Sequence, residues 1–235
     1  MFPGFSPEAL TFLRNLKRNN RREWFQPRKE IFETKLKAPM IQLVEDINAE
    51  LLDFAPDHIT DPKKAVYRIY RDTRFSADKT PYKTHVAAIF PDHGLQKHSS
   101  AGFYFHLTEK SVGIAAGSYM PGPDELRAVR AWLAENHVAF RKASLAPQKL
   151  LGKLEGSAVT RMPKGFDASH PAEDLIRMKQ WLYWVELDAK IATTPRLLPE
   201  LMKRFRAAAP VIAMLNAPLR KNASKAARAT SQYPS

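Results

Sequence analysis

Residues 102–117 read GFYFHLTEKSVGIAAG, and this stretch decides the fold class. Its two halves are short runs rich in aromatic, β-branched and small residues, separated by Glu109-Lys110. Such runs joined by a short turn are typical of a tight antiparallel β-hairpin. We therefore predict two paired strands, at 102–107 and 111–117, in the middle of the chain.

The first of these strands has two different faces. Because side chains alternate along a strand, Phe103 and Phe105 share one face while Tyr104 and His106 share the other. The phenylalanine face is suited to a hydrophobic core. The other face is either a semi-polar surface or the lining of a pocket, so Tyr104 is a candidate ligand-binding residue.

Further strands are expected on both sides of the hairpin. Runs of the same character occur at 65–70 and 84–90, and another follows at 180–187. The connections in the middle of the chain are too short for crossover helices, so the pairing should be antiparallel. These runs predict a sheet of about four to six strands.

Helical patterns precede and follow the strands. Ser6-Pro7-Glu8 is a helix start, and one apolar face follows it at helical spacing. Helical pattern continues to about residue 53 and returns after Pro123, Pro171 and Pro195. The predicted fold class is therefore α+β, with an antiparallel sheet packed by N-terminal and C-terminal helices. We predict one domain over 1–216 and a basic, disordered tail over 217–235.

The composition is globular with an excess of basic residues. Hydrophobic residues make up 44% of the 235, enough for a core without disulfides. Cysteine is absent, which is compatible with a reducing compartment, so we expect a cytoplasmic protein. No run is apolar enough for a membrane span or a secretion signal, so we expect no membrane partner. The formal net charge of +13 favours polyanionic partners.

The segment 68–85 carries the most unusual pattern, RIYRDTRFSADKTPYKTH. It contains three arginines, two lysines, two aspartates and a histidine between two predicted strands. A continuous strand would place Arg68, Asp72 and Arg74 on one face, where unpaired charge is costly to bury. Arginine grips phosphate or carboxylate through two hydrogen bonds, so this segment is a candidate anion site.

The candidate roles divide between ligand binding and catalysis. We expect a phosphate-bearing ligand, with hydrolysis or transfer at phosphorus if the protein is an enzyme. Asp72 or Glu23 is the candidate general base and His85 the candidate general acid. The candidate ligand-binding residues are Arg68, Arg71, Arg74, Lys79, Tyr82, Lys83 and Tyr104.

Cofactor and metal motifs give no support for a bound group. The sequence has no phosphate-binding GxxxxGK[ST] loop, no GxGxxG after a strand and no HExxH. His93 and His98 share a loop with Asp92, but their spacing fixes no coordination geometry. We therefore expect neither a cofactor nor a metal ion.

Several motifs of the chain resemble one family. Asn19–Phe25 (NNRREWF), the segment 68–85, Gly102-Phe103-Tyr104 and Gly117–Pro121 (GSYMP) follow one another as in the domain-of-unknown-function family 2461 of bacteria and fungi. The later Lys164-Gly165-Phe166-Asp167 is similar to its pattern too, and the likeness covers about residues 5 to 215. The resemblance implies a single domain and carries no activity, cofactor or catalytic residue.

Two other interpretations of the basic residues stay open. The charges of the segment 68–85 can form a structural ion-pair network, which makes the protein a scaffold without catalysis. Alternatively, the net charge and the exposed aromatic residues can serve a nucleic-acid-binding accessory protein. Whether the charges of this segment converge on a cavity or on one another separates these interpretations. The sequence does not predict an oligomeric state.

Overall fold

The computed structural model describes residues 1–95 and 99–231, with side chains through residue 222. The helices are α1 (Pro7–Arg18), α2 (Arg22–Phe25), α3 (Lys29–Phe32), α4 (Ala38–Leu51), α5 (Pro62–Ala65), α6 (Pro123–Leu151), α7 (Glu173–Arg177) and α8 (Leu197–Ser231). The strands are β1 (Val86–Pro91), β2 (Gly102–Leu107), β3 (Ser111–Ser118) and β4 (Trp181–Asp188). This order confirms the predicted α+β class and the central antiparallel sheet.

The four strands lie in sequence order, β1-β2-β3-β4, and every neighbouring pair is antiparallel. The predicted hairpin joins β2 to β3, with Leu107 opposite Val112. The backbone N–H of Thr108 donates to the carbonyl of Ser111 at 2.9 Å and closes the turn. Since each strand follows its neighbour along the chain, the sheet needs no crossover helix.

One face of the sheet packs on the helices. Phe90, Phe103 and Phe105 point to this side and are at most 1% exposed. Phe103 stacks on Phe205 of α8, with 4.7 Å between ring centroids. Each buried phenylalanine contributes roughly 1.5–3 kcal/mol by leaving water. The opposite face of the sheet is therefore the one available for a site.

The N-terminal helical layer follows the predicted pattern. In α1, Phe12, Leu13 and Leu16 are buried, as the apolar spacing of that segment requires. A continuous run of helical turns connects Arg22 to Leu51, with a 3₁₀ turn at Gln26–Arg28 and a π-helical turn at Glu33–Lys37. This run packs against the beginning of the sheet.

The predicted strand at 65–70 is wrong. Its residues form only isolated bridges, Val66 with Ala88 and Tyr70 with Tyr82. The chain pairs first with β1 and then with its own continuation, so no ladder extends beyond one residue. The predicted alternation of charged side chains over residues 68–74 therefore does not hold.

The helix after the sheet, α6, contains a break. The backbone of Asn136 has φ −120° and ψ 15°, outside the helical region, inside the span of α6. The amide of Asn136 donates to the carbonyl of Trp132 at 2.8 Å. α6 therefore consists of two helical segments that meet at Asn136.

The last helix continues past the predicted domain boundary at residue 216. α8 extends to Ser231, Leu219 is 7% exposed, and Arg220 forms ion pairs with Asp57 and Asp92. The packed part of the chain therefore reaches at least Arg220. Residues 232–235 lie outside the described residues. None of the described helices is long and apolar enough to cross a bilayer.

Candidate functional site

A cavity of about 460 Å³ opens on the sheet face that the helices leave uncovered. Its floor comes from residues that lie opposite one another across the strands, such as Tyr104, Ala115 and Trp184. The small side chain of Ala115 leaves room between the two aromatic rings. The lining residues are Tyr67, Lys83, His85, Ile89, Pro91, Ser100, Gly102, Phe103, Tyr104, His106, Ala115, Ala116, Gly117, Tyr119, Met120, Leu182 and Trp184.

Two glycines of β3, Gly113 and Gly117, leave space on this face of the sheet. A Cβ atom at Gly113 would lie 2.5 Å from ring carbons of both His106 and Trp184. Gly117 has a φ of +141°, and a Cβ atom there would lie 2.0 Å from the carbonyl oxygen of Trp181. Larger side chains at these two positions would displace the aromatic floor or the strand itself.

Two histidines form the centre of the polar lining. The rings of His85 and His106 lie 5.3 Å apart between centroids. Burial, together with nearby His106 and Lys83, lowers the pKa of His85 to about 4. Burial also lowers the pKa of His106. His85 is therefore neutral near pH 7 and can accept a proton or a hydrogen bond from a ligand.

Tyr104 stands beside His106. Oη of Tyr104 lies 3.3 Å from Nδ1 of His106. Burial raises the pKa of Tyr104 to about 12, and neighbouring Tyr67 and Tyr119 act in the same direction. Tyr104 therefore keeps its proton, which it can donate either to Nδ1 of His106 or to a ligand.

Lys83 supplies the positive charge of the cavity. Among the described lining residues it alone has an ammonium or guanidinium group. Its Nζ lies 4.8 Å from the ring centroid of Tyr67, a cation–π distance. Burial lowers the pKa of Lys83, and the charge of Arg68 adds to this effect. An anionic group of a ligand would relieve this unfavourable environment.

Three predicted site residues therefore come together here: Lys83, His85 and Tyr104. Two others, Tyr82 and Glu23, lie elsewhere. Tyr82 is 1% exposed and stacks on Phe25 with 4.1 Å between centroids, so it is part of the core. Glu23 is exposed in the first turn of α2 and does not line the cavity.

Most of the remaining candidates lie in a protruding loop, residues 71–81, which we call the basic arm. The N–H of Arg71 donates to the carbonyl of Pro81 at 2.9 Å and closes its base. Arg71 pairs with Asp78 and also contacts Thr80. Asp72 accepts two hydrogen bonds from the side chain of Arg74, at 2.8 and 3.0 Å.

The charges of the basic arm thus converge on one another and not on the cavity. The ammonium group of Lys79 donates to the carbonyl of Thr73 at 2.9 Å, inside the same loop. Hydrogen bonds to Arg74 lower the pKa of Asp72 to about 2, and hydrogen bonds to Thr80 and Arg71 do the same for Asp78. Both carboxylates are ionised and occupied, which leaves Asp72 without the geometry of a general base for the cavity.

Arg68 has a third position. It is exposed and lines a second cavity of about 570 Å³, between the N-terminal helices and the chain at 66–70. In the described part of the chain no carboxylate lies within ion-pair distance of Arg68. The six charged candidates of the segment 68–85 are therefore spread over the cavity, the arm and this second cavity.

Sequence reasoning missed Tyr67 and Trp184 as lining residues. Trp184 reaches the cavity because β4 pairs with β3, which places it opposite Ala115. The run WLYWVEL alternates Trp181 and Tyr183 with Leu182 and Trp184, and this alternation is the signal that would place Trp184 on the open face. The N–H of Tyr67 donates to the carbonyl of Ala87 at 2.9 Å, which fixes it beside β1.

Among the described residues, no group of three or more His, Cys, Asp or Glu side chains is placed to hold an ion. Asp92 is 1% exposed and accepts hydrogen bonds from Asn216 and Arg220. His98 lies outside the described residues.

The family comparison agrees with the resemblance noted in the sequence. The family described as "Conserved hypothetical protein (DUF2461)" matches residues 8–214. The chain belongs to this family. The comparisons with curated proteins and with solved structures gave no match. The matched range includes the whole described lining of the cavity and the basic arm, and it ends before Asn216 and Arg220.

Three of the motifs that carry the family resemblance contribute to the lining of the cavity. Segment 68–85 contributes Lys83 and His85, Gly102-Phe103-Tyr104 contributes three lining residues, and Gly117–Pro121 contributes Gly117, Tyr119 and Met120. The motif Asn19–Phe25 is joined to the segment 68–85, because the side-chain amide of Asn20 forms two hydrogen bonds with the backbone of Tyr82. These separated stretches therefore share one spatial neighbourhood.

Proposed function

We propose that the protein binds a small anionic ligand with a planar, apolar body in the cavity on the open face of the sheet. The observation that carries the proposal is the convergence of Lys83, His85, His106 and Tyr104 on an otherwise apolar space. Its volume of about 460 Å³ lies within the range of small-molecule sites. A phosphate monoester, as expected from the sequence, or a carboxylate would satisfy this chemistry.

The anionic group would pair with Lys83. A partly buried ammonium with a lowered pKa gains more from an opposite charge than an exposed one does, because less solvent screens the pair. Tyr104 and the neutral imidazole of His85 or His106 can donate hydrogen bonds to the same group. Lys83 therefore supplies the charge and the other three supply orientation.

The body of the ligand would contact the aromatic walls. Trp184 is 37% exposed, and its ring lies 5.4 Å from that of His106. Tyr119 and Met120 are 63% and 66% exposed at the rim. A planar apolar group would cover these surfaces and gain roughly 25 cal/mol for each Å² removed from water.

Any chemistry at this site would use the histidines. The described lining residues include no Asp or Glu, so a carboxylate base is not at hand. A neutral His85 suits proton acceptance from a bound hydroxyl or water, and Lys83 can neutralise charge that develops on a transferred group. We propose binding as the primary function. The cytoplasmic location stays a prediction from composition.

The test is calorimetric titration of the full chain at near-neutral pH with 4-nitrophenyl phosphate, 4-nitrobenzoate and the neutral 4-nitrobenzamide. We expect saturable binding of an anionic probe, weaker binding of the amide, and a loss of at least about tenfold in affinity for Lys83→Met, the loss expected for one charge-assisted hydrogen bond. Lys79→Met is the matched control, because Lys79 is an exposed lysine of the same segment that bonds inside the arm.

Two outcomes would overturn the proposal. One is equal binding of the anions and the amide, which would remove the role of Lys83. The other is an equal loss of ligand affinity in Lys83→Met and Lys79→Met, which would indicate nonspecific electrostatic attraction instead of a site. Melting temperatures of both variants check that each is folded.

A further inference from the structure

The second cavity is a groove lined by lysine and arginine side chains, with aromatic rings at its floor. It lies between the helical run 22–41 and the chain at 63–70. Its cationic lining residues are Lys29, Lys37, Lys63 and Arg68, and its described lining includes one carboxylate, Glu33. Glu33 is already paired with Lys37 at 2.7 Å. The groove therefore has an uncompensated positive charge.

Three of these cations are not held in ion pairs within the described part of the chain. In the described part of the chain, Lys29, Lys63 and Arg68 have no carboxylate within ion-pair distance. All three are exposed, so their side chains can turn toward a ligand in the groove. Clustered like charges repel, and a bound polyanion would relieve that repulsion.

Aromatic rings accompany the cations. Tyr70 lines the groove and is 44% exposed, and its inner edge packs against buried Phe25 with 6.4 Å between centroids. Its position is therefore fixed while part of its ring faces solvent. The π-helical turn Glu33–Lys37 forms the opposite wall, and such turns are frequent at functional sites.

The basic arm extends this surface. It begins directly after Tyr70 and carries Phe75, which is 95% exposed, at its tip. The guanidinium of Arg74 lies 5.7 Å from the ring centroid of Phe75. Four residues lie between Tyr70 and Phe75, so their Cα atoms are at most about 18 Å apart.

The arm holds Phe75 in solvent by a defined structure. The pair Arg71–Asp78, the pair Arg74–Asp72 and the bond from Lys79 to Thr73 fix its conformation. A large apolar side chain held in water by such a network gains free energy only when a partner covers it. A stacked base is a partner that suits both Phe75 and the cation beside it.

We propose that the groove and the tip of the basic arm bind single-stranded nucleic acid. The cations Lys29, Lys63 and Arg68 contact phosphates, and Tyr70 and Phe75 stack on bases. This combination of a basic groove with separated aromatic platforms binds single strands with little sequence preference. An acidic polypeptide would use the same charges and leave the aromatic rings uncovered, so the nucleic acid fits more of the observed surface.

The experiment is fluorescence anisotropy of the full chain with a fluorescein-labelled oligothymidylate of about 12 nucleotides, a length within the usual site size. We expect saturable binding whose affinity falls steeply with salt. Phe75→Ala should weaken binding about fivefold or more, the lower end of the effect of one stacked base, without altering the melting temperature. Tyr70→Leu, which keeps the apolar contact with Phe25, should do the same.

The charge variants distinguish binding at a specific site from nonspecific electrostatic attraction. Arg68→Ala should weaken binding and reduce the slope of log affinity against log salt by about 1. Lys142→Ala is the matched control, because Lys142 is exposed on α6 and lines neither cavity. It should leave affinity within about twofold of the parent protein, because loss of one exposed charge away from a site is only weakly felt.

Three results would each overturn the inference. The first is the absence of binding at low salt, and the second is unchanged affinity in both Phe75→Ala and Tyr70→Leu. The third is equal affinity for a labelled polyglutamate of the same charge, which would assign the groove to acidic polypeptides. None of these results bears on the ligand of the first cavity, because neither Tyr70 nor Phe75 lines it.

Discussion

The side-chain amide of Asn20 forms two hydrogen bonds with the backbone of Tyr82. Its Nδ2 donates to the carbonyl of Tyr82 at 2.8 Å, and its Oδ1 accepts from the N–H of Tyr82 at 3.1 Å. The Tyr82 ring is buried against Phe25, one turn further along the N-terminal helices. This clamp fixes the end of the basic arm, and with it the chain that positions Lys83 and His85.

Asn20→Ala should therefore destabilise the protein and disturb the cavity. It would leave a backbone N–H and C=O without their partners, at a cost of about 2 kcal/mol. Urea denaturation measures the loss, with Asn222→Ala as the control because Asn222 is exposed on α8. A loss no larger than that of the control would contradict the role of the clamp.

The sequence predicts the hairpin well and the chain at 65–70 poorly, for one physical reason. Residues 102–117 contain both partners and the turn, so their pairing is local. The run at 65–70 has the composition of a strand, but its partners at Ala88 and Tyr82 lie in two different directions. Strand propensity does not contain that information, because it reports a fit to a pleated surface and not the identity of the neighbour.

The candidate site was predicted in part. The sequence indicates Lys83, His85 and Tyr104, because unusual polar residues stand next to strands there. Trp184 was not identified, since only the long-range pairing of β3 with β4 brings it opposite Ala115. The sequence leaves the arginines of the segment 68–85 open between an anion pocket and a structural ion-pair network, and two of the three pair with aspartates of the same loop. Local pairing of opposite charges a few residues apart is the alternative that composition alone does not exclude.

Gly117→Ala and Gly165→Ala should differ strongly in stability. Both glycines have positive φ, +141° and +93°, so both substitutions incur a backbone cost of about 1 kcal/mol. A Cβ atom at Gly165 meets nothing within 4 Å, but at Gly117 it would lie 2.0 Å from the carbonyl oxygen of Trp181. Gly117→Ala should lose at least about 3 kcal/mol or fail to fold, as strained substitutions at packed backbone do.

Urea midpoints and soluble yields compare the two glycine variants directly. The difference in stability between them mainly reports the steric part, because both positions have a positive φ that disfavours a Cβ atom. Equal losses would indicate that β3 and β4 can separate at Gly117 without cost, and would remove the argument that this glycine shapes the cavity floor.

The stability of the protein should fall as the pH is lowered from about 6.5 toward 4, and His85 should contribute to the fall. The folded protein holds the pKa of His85 near 4, below its ordinary value of 6.5. In this window the unfolded chain binds a proton that the folded protein excludes, so acid favours unfolding. After allowance for solvent screening, the contribution of His85 is about 1–2 kcal/mol.

His85→Gln removes this titration while keeping a polar side chain. Urea denaturation at about pH 7 and pH 5 measures the free energy of unfolding. Its decrease between the two pH values should be smaller for the variant than for the parent protein. Burial also lowers the pKa of His58 and His106, so the variant should keep a residual dependence in the same window. The pKa values of Asp72 and Asp78 are lowered from 3.8 to about 2, so these carboxylates affect stability only at lower pH and do not interfere between pH 7 and pH 5. Identical losses in the two proteins would contradict the buried, neutral state of His85.

Arg220→Met should be strongly destabilising although Arg220 lies in the predicted tail. Its guanidinium pairs with Asp57 at 2.6 Å and with Asp92, whose carboxylate is 1% exposed. Removing the guanidinium leaves a buried carboxylate with Asn216 as its remaining described side-chain partner. Breaking a buried pair on one side costs about 3 kcal/mol or more, because the other charge stays desolvated.

Arg74→Met is the matched comparison, since Arg74 also pairs with an aspartate but both side chains are exposed. Its free energy of unfolding should be unchanged within error, because water replaces the lost partner. Urea denaturation compares the loss in free energy of unfolding between the two variants. A large loss for Arg220→Met alone places the end of the folded domain beyond residue 220, where α8 is held to the end of β1. Equal small losses would return the boundary to residue 216 and make the rest of α8 dispensable.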